Sequence, residues 1–409
     1  MLRQSTIFAV IALCFASQSG AQLGLQAALP AAISPLPAIE SLPGTVGALL
    51  DRPLSEVSNV LRLARLDRIE ALLRDNRQVI ERDSEGAPAR RGVLLLVDPD
   101  AVILHDVAVL GLDPGTPEVI EGLDVAVSLV TLPPGMSLAA AQKLLRKKVP
   151  AATVSSDQIF FQSGGSAATG SASARSAGAP VETPIGLIDG APAHPVTATK
   201  GFARGAPFAS NHGSAVAALA YAAGARKIYV ADVYGTDPAG GNALAIAQGM
   251  GWLLGRGAKV ISLSLVGPRS PLLERAVASA QARGAVIVAA VGNDGPASPP
   301  AFPASYNGVL AITAVDRRNR PMIEAGRAAH LDYAAPGADM STLDKTGKLV
   351  PVRGTSFAAP LAAVRAAAAL DRGVSPRGVV AALDAEAVPL SRRRPDPQSG
   401  RGLLCGGCQ

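Results

Sequence analysis

Four polar residues stand where apolar runs end or helical stretches begin, and their types together could carry out nucleophilic catalysis. Asp189 and Asn293 each follow an apolar run, whereas His212 and Ser356 each open a helical stretch. A serine hydroxyl is a weak nucleophile until an imidazole takes its proton, and a carboxylate must hold that imidazole in the right tautomer. The backbone N–H of Ser356 and the side-chain amide of Asn293 can both donate to a developing oxyanion. These residues therefore predict acyl transfer through a serine nucleophile.

Short apolar runs alternate with helical stretches throughout the second half of the chain. The runs cover residues 185–188, 227–230, 260–265, 285–290 and 308–314, and the helical stretches cover residues 212–223, 243–254 and 271–283. This alternation predicts the α/β class, with a parallel sheet that carries helices on both faces. Functional sites of such sheets gather at the carboxyl ends of the strands, which is where the four polar residues fall.

Four features of this half resemble the subtilisin-like serine proteases. They are the chain order Asp, His, Ser, the sequence Gly-Thr-Ser-Phe-Ala-Ala-Pro at 354–360, the apolar strand at 260–268, and Ala-Ala-Val-Gly-Asn-Asp-Gly at 289–295. The resemblance implies a subtilisin-like catalytic domain at 181–404. It implies a serine endopeptidase that forms an acyl-enzyme intermediate on Ser356, with His212 as general base and Asp189 to orient it. Asn293 is the implied oxyanion donor.

The resemblance also implies a substrate-binding groove formed by two segments. The implied residues are Ser264, Leu265, Val266 and Gly267 on one segment and Ala290 and Gly292 on the other. Val266 stands where the family usually has glycine, and its branched side chain predicts that small or medium apolar residues precede the cleaved bond. Gly190 follows Asp189 where the family usually has threonine or serine, so a local hydrogen-bond donor is absent. Neither difference removes a member of the implied triad.

Other classes of function remain beside the protease. A catalytically inactive binding protein on the same fold is one alternative, because fold alone does not fix function. The intact set of four polar residues argues against it. An esterase or lipase usually places its serine in Gly-x-Ser-x-Gly and orders the triad Ser, Asp, His, and the surroundings of Ser356 match neither pattern. Nucleic-acid binding is disfavoured because the basic residues are dispersed and aromatic residues make up only 3% of the chain.

The composition divides the chain into further segments. They are a secretory signal peptide at 1–21, a Pro/Ala-rich linker at 22–50, a helical segment plus an α+β segment at 51–162, a Ser/Gly/Ala-rich linker at 163–180, and a tail at 405–409. The helical spacing of apolar residues covers 51–91. Strands are predicted at 92–97, 125–132 and 152–161, with a helix at 138–148. In the tail, Cys405 and Cys408 predict a local disulfide, as is usual in an oxidising compartment.

Residues 92–162 are the candidate prosegment, since secreted members of the resembled family generally carry one, and the helical residues 51–91 either extend it or serve a separate interaction. The resemblance implies that this segment inhibits the enzyme, that residues 160–164 lie in the cleft like a product, and that the chain cuts itself between about 160 and 180. Polypeptide substrates, a secreted or periplasmic location and no stable membrane span after signal removal are expected with it. The charges favour docking, because residues 1–180 hold 15 Lys and Arg against 17 Asp and Glu, and residues 181–409 hold 23 against 15.

The sequence predicts no metal site and no cofactor, and it leaves a calcium requirement open. The histidines are scattered, at His105, His194, His212 and His330, without the spacing of a zinc site. His194, His330 and Asp294 are predicted to have structural roles.

Overall fold

The computed structural model describes residues 54–163, 165–166, 179–393 and 395–408, which all fall in the compact unit Ser34–Gln409. The predicted signal peptide at 1–21, the linker at 22–50 and most of the linker at 163–180 lie outside the described residues. Within the part of the chain that is described, no helix is long and apolar enough to cross a membrane.

An antiparallel sheet with helices on one face forms the N-terminal lobe, which we define as residues 54–158. Its elements are α1 (Leu54–Asp75), β1 (Ile80–Arg82), β2 (Pro88–Val97), α2 (Ala101–Val109), β3 (Asp113–Pro114), β4 (Glu118–Val119), β5 (Ala126–Thr131), α3 (Leu138–Lys148) and β6 (Thr153–Gln158). β2 is central and pairs antiparallel with β1, β5 and β6. Because side chains alternate along a strand, Leu94 and Leu96 pack against α2 and α3, whereas Leu95 and Val97 face the rest of the molecule.

The predicted helix over 51–91 is wrong beyond Asp75. There α1 ends, and β1 and β2 form a hairpin that contains the remaining residues. The Asp83 carboxylate accepts the backbone N–H groups of Glu85 and Ala87 at 2.9 Å each, which closes the turn of this hairpin. The helix predicted at 138–148 is α3, with the same bounds.

Two short strands, β7 (Phe161–Gln162) and β8 (Gly165–Ser166), follow the N-terminal lobe. The C-terminal lobe, which we define as residues 179–408, comes next. Its elements are β9 (Ile185–Asp189), β10 (Ala198–Gly201), α4 (Asn211–Ala222), β11 (Ile228–Asp232), α5 (Ala243–Gly255), β12 (Val260–Leu263), β13 (Leu265–Val266), α6 (Pro271–Ala282), β14 (Val286–Ala290), β15 (Leu310–Val315), β16 (Tyr333–Pro336), β17 (Met340–Leu343), β18 (Leu349–Arg353), α7 (Thr355–Asp371) and α8 (Val379–Glu386).

A seven-stranded parallel sheet is the centre of the C-terminal lobe, with the order β10-β11-β9-β12-β14-β15-β16 among the described residues. Leu187 and Val288 pack with α4 and α7 on one face, whereas Ile188 and Ile287 pack with α5 and α6 on the other. Strands buried on both faces read as continuous apolar runs, which is why they could be recognised in the sequence. The predicted α/β class with helices on both faces is confirmed.

The free face of the N-terminal sheet packs on α5 and α6. Leu95 and Val97 belong to the same buried apolar cluster as Ile246 and Leu273 of these helices. The backbones come so close that a Cβ atom added to Gly251 would lie 2.1 Å from the carbonyl oxygen of Glu121. Only glycine in α5 permits this approach of the two lobes.

A buried carboxylate adds a polar contact between the lobes. Asp157 of β6 accepts the backbone N–H of Leu244 at 2.9 Å and a guanidinium N–H of Arg90 at 3.1 Å. Burial raises the pKa of Asp157, and Arg90 acts in the opposite direction. Because the N–H groups at a helix start lack partners within the helix, an acceptor from the N-terminal lobe satisfies one of them at the start of α5.

Replacing Gly251 with alanine should loosen the contact between the lobes without weakening α5 itself. Alanine is the better helix former by about 1 kcal/mol, but its methyl group would collide with the carbonyl oxygen of Glu121. Amide hydrogen exchange in residues 120–132 should therefore accelerate, measured in the full chain with Ser356→Ala so that the implied nucleophile is absent. Gly255→Ala in the same helix is the control, since a methyl group there meets nothing within 4 Å. Equal exchange in the two variants would contradict the importance of this contact.

Candidate active site

Asp189, His212 and Ser356 form one hydrogen-bonded series at the carboxyl edge of the parallel sheet. His212 Nε2 is 2.9 Å from Ser356 Oγ, and His212 Nδ1 is 2.8 Å from Asp189 Oδ2. All three side chains are buried. An imidazole between a hydroxyl and a carboxylate can take the hydroxyl proton while the carboxylate holds its Nδ1–H. The structure therefore brings together the three residues of the implied triad.

The ends of three elements position these side chains. Asp189 is the last residue of β9, beside the point between β9 and β12 where the strand order reverses and a crevice opens. Ser210 caps α4 through its side chain and so holds His212 in the first turn. Gly354, with a φ of 151°, makes the turn from β18 that places Ser356 in the first turn of α7.

The backbone N–H of Ser356 donates to a carbonyl oxygen of the same chain, that of Ser163, at 3.0 Å. Asn293 lies next to this N–H, because its Oδ1 accepts the backbone N–H of Thr355 at 3.0 Å. Thr355 Oγ1 in turn accepts the N–H of Gly292 at 3.0 Å, which ties the segment before Asn293 to the start of α7. Fixed donors beside a carbonyl oxygen are what an oxyanion site requires.

The segment that carries this carbonyl runs through the crevice, and we call its described residues, 159–163 and 165–166, the cleft strand. Its β7 part pairs antiparallel with β13, with Phe161 opposite Val266. Its β8 part pairs antiparallel with β18, the strand that leads to Ser356. The cleft strand is thus held by main-chain pairing on both sides of the triad, as an extended peptide ligand would be.

Three of the predicted groove residues, Ser264, Leu265 and Val266, lie against the cleft strand. The carbonyl oxygen of Ser264 accepts the N–H of Ser163 at 3.2 Å, and Leu265 and Val266 form β13. Val266 also faces Gly292, because a Cβ atom added there would lie 3.2 Å from Val266 Cγ1. Ala290 ends β14 and is fully buried. The branched side chain of Val266 therefore lies between β13 and Gly292.

Phe160 occupies a deep apolar pocket farther along the groove. Its side chain is fully buried, and a Cβ atom added to Gly267 would lie 2.4 Å from the Phe160 ring. The Tyr234 hydroxyl donates to the carbonyl oxygen of Phe160 at 3.2 Å. Burial, and then the carboxylates of Asp189 and Asp232, raises the pKa of Tyr234 well above its ordinary value, so this hydroxyl keeps its proton. Gly267 therefore gives the aromatic ring its place in the groove.

Helix α1 lies across the cleft strand and reaches the oxyanion segment. Arg65 and Arg68 pair with Asp294 at 3.3 Å and 2.8 Å, and the Arg68 guanidinium lies 5.2 Å from the centre of the Phe161 ring. Leu61 packs on the glycine that follows Asp294. Asp294, predicted as structural, thus connects α1 to the site. The sequence held no signal for this pairing, because it joins residues more than two hundred positions apart.

Other sequence expectations have simpler outcomes. His330 Nε2 lies 2.9 Å from the carbonyl oxygen of Val309, away from the triad. Cys405 is disulfide-bonded. In the described ranges no group of three or more His, Cys, Asp or Glu side chains could hold a metal ion. Gln162 was not singled out, yet its side-chain Nε2 donates to Asp189 Oδ1 at 2.9 Å.

The model of the Peptidase_S8 subtilase family matches residues 197–389, a span that includes His212, Asn293 and Ser356. This span of the chain is similar to the subtilase family. Subtilisin BL from Lederbergia lenta is 38% identical over 142 residues, which cover 34% of this chain and 52% of the relative. Thermitase from Thermoactinomyces vulgaris is 32% identical over 183 residues, which cover 44% of this chain and 64% of the relative. The chain spans about half the length of Subtilisin BL, the relative it matches at higher identity.

Solved structures show the same fold. Fervidolysin from Fervidobacterium pennivorans, described as a keratinolytic enzyme related to subtilisin, superposes with a TM-score of 0.65 at 18% identity, over 78% of this chain and 61% of its own. The epidermin leader peptide processing serine protease from Staphylococcus aureus gives a TM-score of 0.59 at 13% identity, over 78% of this chain and 98% of its own. The resemblance of the C-terminal lobe to subtilisin-like serine proteases is confirmed.

Replacing Arg68 with alanine should release α1 from the C-terminal lobe. The change removes one partner of a partly buried ion pair with Asp294 and the contact with the Phe161 ring. A loss of about 1–2 kcal/mol is expected, and amide exchange of residues 57–72 should rise about fivefold to thirtyfold in the Ser356→Ala chain. Arg62→Ala is the matched control, because Arg62 is exposed and bonds only to Asn59 of its own helix. If Arg62→Ala raised exchange as much as Arg68→Ala, the pairing with Asp294 would not hold the helix.

Proposed function

We propose that the chain is a serine endopeptidase made as a self-processing precursor. Ser356 Oγ attacks the carbonyl carbon of the scissile bond and gives its proton to His212 Nε2, while Asp189 holds Nδ1–H. The Ser356 N–H and the Asn293 amide stabilise the oxyanion. His212 then protonates the leaving amine, and water hydrolyses the acyl-enzyme by the same steps in reverse order. The hydrogen-bonded series at 2.8 Å and 2.9 Å supports these roles.

The cleft strand supports self-processing at the bond that follows Ser163. The carbonyl oxygen of Ser163 already accepts the Ser356 N–H at 3.0 Å, which is the position that the oxyanion of the reacting bond has to take. The pairing of β7 with β13 and of β8 with β18 supports this placement of the Ser163 carbonyl beside Ser356. A cut there falls within the expected range of about 160 to 180. The hydrogen bond from the Ser356 N–H to the Ser163 carbonyl oxygen is the single observation on which the proposal depends.

Residues 54–163 act as the inhibitor after the cut. They hold the cleft strand in place through the packing of the sheet on α5 and α6, the Asp157 contact at the start of α5, and the arginines of α1 on Asp294. α1 extends the inhibitor beyond the sheet and places it directly over the oxyanion segment. The substrate is a polypeptide, because a peptide strand is what the groove already holds.

Export fits this reading, since a precursor that keeps its groove filled is inactive inside the cell that makes it. We propose a secreted or periplasmic enzyme, in agreement with the sequence pattern of a signal peptide at 1–21. The inactive binding protein is disfavoured, because such a protein needs neither the alignment of three triad side chains nor an N–H group aimed at the carbonyl of a bound strand.

Ser356→Ala should leave the chain at full length, whereas the wild-type chain should yield a fragment that starts at Gly164. Asn293→Ala should slow the cut by about 10²–10³ because it removes one oxyanion donor. Mass spectrometry of chains produced without the signal peptide in a host that lacks other active proteases measures both effects. Adding wild-type enzyme to the Ser356→Ala chain separates cutting in trans from cutting in cis. Trimming of the purified Ser356→Ala chain at the same bond would show that another protease makes the cut.

Val266→Gly should widen the acceptance of the residue before the cleaved bond towards Phe and Tyr. Val266 fills the space between the two groove segments, and glycine at this position removes the branched side chain. The test measures the rate of self-processing in variants of the chain. Ser163→Phe should slow self-processing in the chain with Val266 and should be tolerated when Val266→Gly is added. Ser163→Ala serves as the control, since it keeps a small side chain. An equal effect of Ser163→Phe in both backgrounds would contradict the steric argument.

A further inference from the structure

The carboxylate of Asp189 receives a hydrogen bond from the cleft strand itself. Its Oδ1 accepts the side-chain Nε2–H of Gln162 at 2.9 Å and the backbone N–H of Gly190 at 2.7 Å, while Oδ2 accepts from His212. Asp189 is 1% exposed. A buried carboxylate with few donors is costly, so each donor that reaches it matters.

The residue after Asp189 explains why a side chain from a bound strand can reach this oxygen. Gly190 has no side chain, and a Cβ atom added to it would lie 2.4 Å from Ser210 Oγ and 3.6 Å from Gln162 Nε2. A Cβ atom at position 190 would therefore collide with Ser210 Oγ and would be in van der Waals contact with the amide of Gln162. A glycine here leaves an opening beside the carboxylate, and the amide of Gln162 occupies that opening.

We infer that this opening is a specificity site for an amide side chain two residues before the cleaved bond, with Gln162 as its occupant in the precursor. The inference rests on the proposed function, and it assigns the substrate class: polypeptides with glutamine at the second residue before the cut. Gly190 permits this preference because it leaves space beside the carboxylate of Asp189. Asp189 recognises the amide by accepting its hydrogen bond. The group recognised is a neutral donor, not a cation, since the side chain held there is an amide.

Four residue types at the second position before the cut separate the effect of the hydrogen bond from the effects of shape, length and charge. Glutamine reaches Asp189 and donates to it. Methionine has nearly the same length and shape but no N–H, so it fills the opening without the hydrogen bond. Glutamate has the same shape but brings a second negative charge against Asp189, and asparagine is one methylene too short to span the distance. The preference should therefore follow Gln first, with Met and Asn lower and Glu lowest.

The test uses enzyme processed from the full chain and a series of fluorogenic peptides Ile-Phe-Phe-X-Ser, where X is Gln, Met, Asn or Glu. kcat/KM should be about tenfold to hundredfold higher for Gln than for Met, which is the range for a hydrogen bond to a buried charged group. Separate kcat and KM values show whether the amide assists binding alone or also the chemical step. The same order should appear in the self-processing rates of Gln162→Met and Gln162→Glu chains.

Filling the opening supplies a second test. The double variant Gly190→Ser with Ser210→Gly places a hydroxyl beside Asp189, and the ratio of Gln to Met should fall to near one. Ser210→Gly alone should keep the ratio, because glycine is tolerated at a helix N-cap and leaves Gly190 unchanged. Peptides cleaved with no preference for Gln, or a preference that survives the double variant, would overturn this inference and leave the proposed function intact. A chain that neither processes itself nor cleaves any peptide would overturn both.

Discussion

Features of both lobes are needed to form one contact, the hydrogen bond from the Ser356 N–H to the carbonyl oxygen of Ser163. It requires a helix that starts at the carboxyl edge of the sheet, a glycine turn before that helix, and an extended strand brought in from the N-terminal lobe. The parallel sheet supplies the first two, since β9 and α7 end and begin at the same edge. The N-terminal lobe supplies the third by packing its sheet on α5 and α6. Asp189, His212, Asn293 and Ser356 all lie in the C-terminal lobe, and the N-terminal lobe adds the strand that lies beside them.

Two kinds of sequence pattern predicted features that the structure contains. The strands of the C-terminal lobe were readable because burial on both faces makes them continuous apolar runs, as in β9 and β14. The three side chains of the proposed triad could be grouped because they stand next to glycines and helix starts in a recurring order, and the structure places them within hydrogen-bond distance of one another. Short or mixed elements were not readable: β10, β16 and the β17–β18 hairpin lack a long apolar run, and α2 is too evenly apolar to show a helical period.

The contacts that α1 and the cleft strand make with the site were not predictable from the sequence. Arg68 and Asp294 are distant along the chain, and their meeting depends on how α1 lies over the cleft. The reach of Gln162 to Asp189 depends on the register between β7 and β13, which is fixed by main-chain pairing and not by any local pattern. Gly190 was visible as a departure from the family, but its effect became clear only with Ser210 and Gln162 placed around it. Contacts between side chains of distant elements can be identified only once the tertiary fold is known.

The passage of the cleft strand through the site, with paired residues on both sides of Ser356, has a consequence for concentration. While the chain is intact, the N-terminal lobe is tethered and binds its own site at a high effective concentration that dilution cannot change. Under the proposed self-processing, a cut after Ser163 would make the same lobe a separate molecule whose binding follows mass action. Inhibition would then depend on how far the two fragments can diffuse apart. In a confined space the lobe would stay bound for longer, whereas in a large volume dilution alone would release it from the C-terminal lobe.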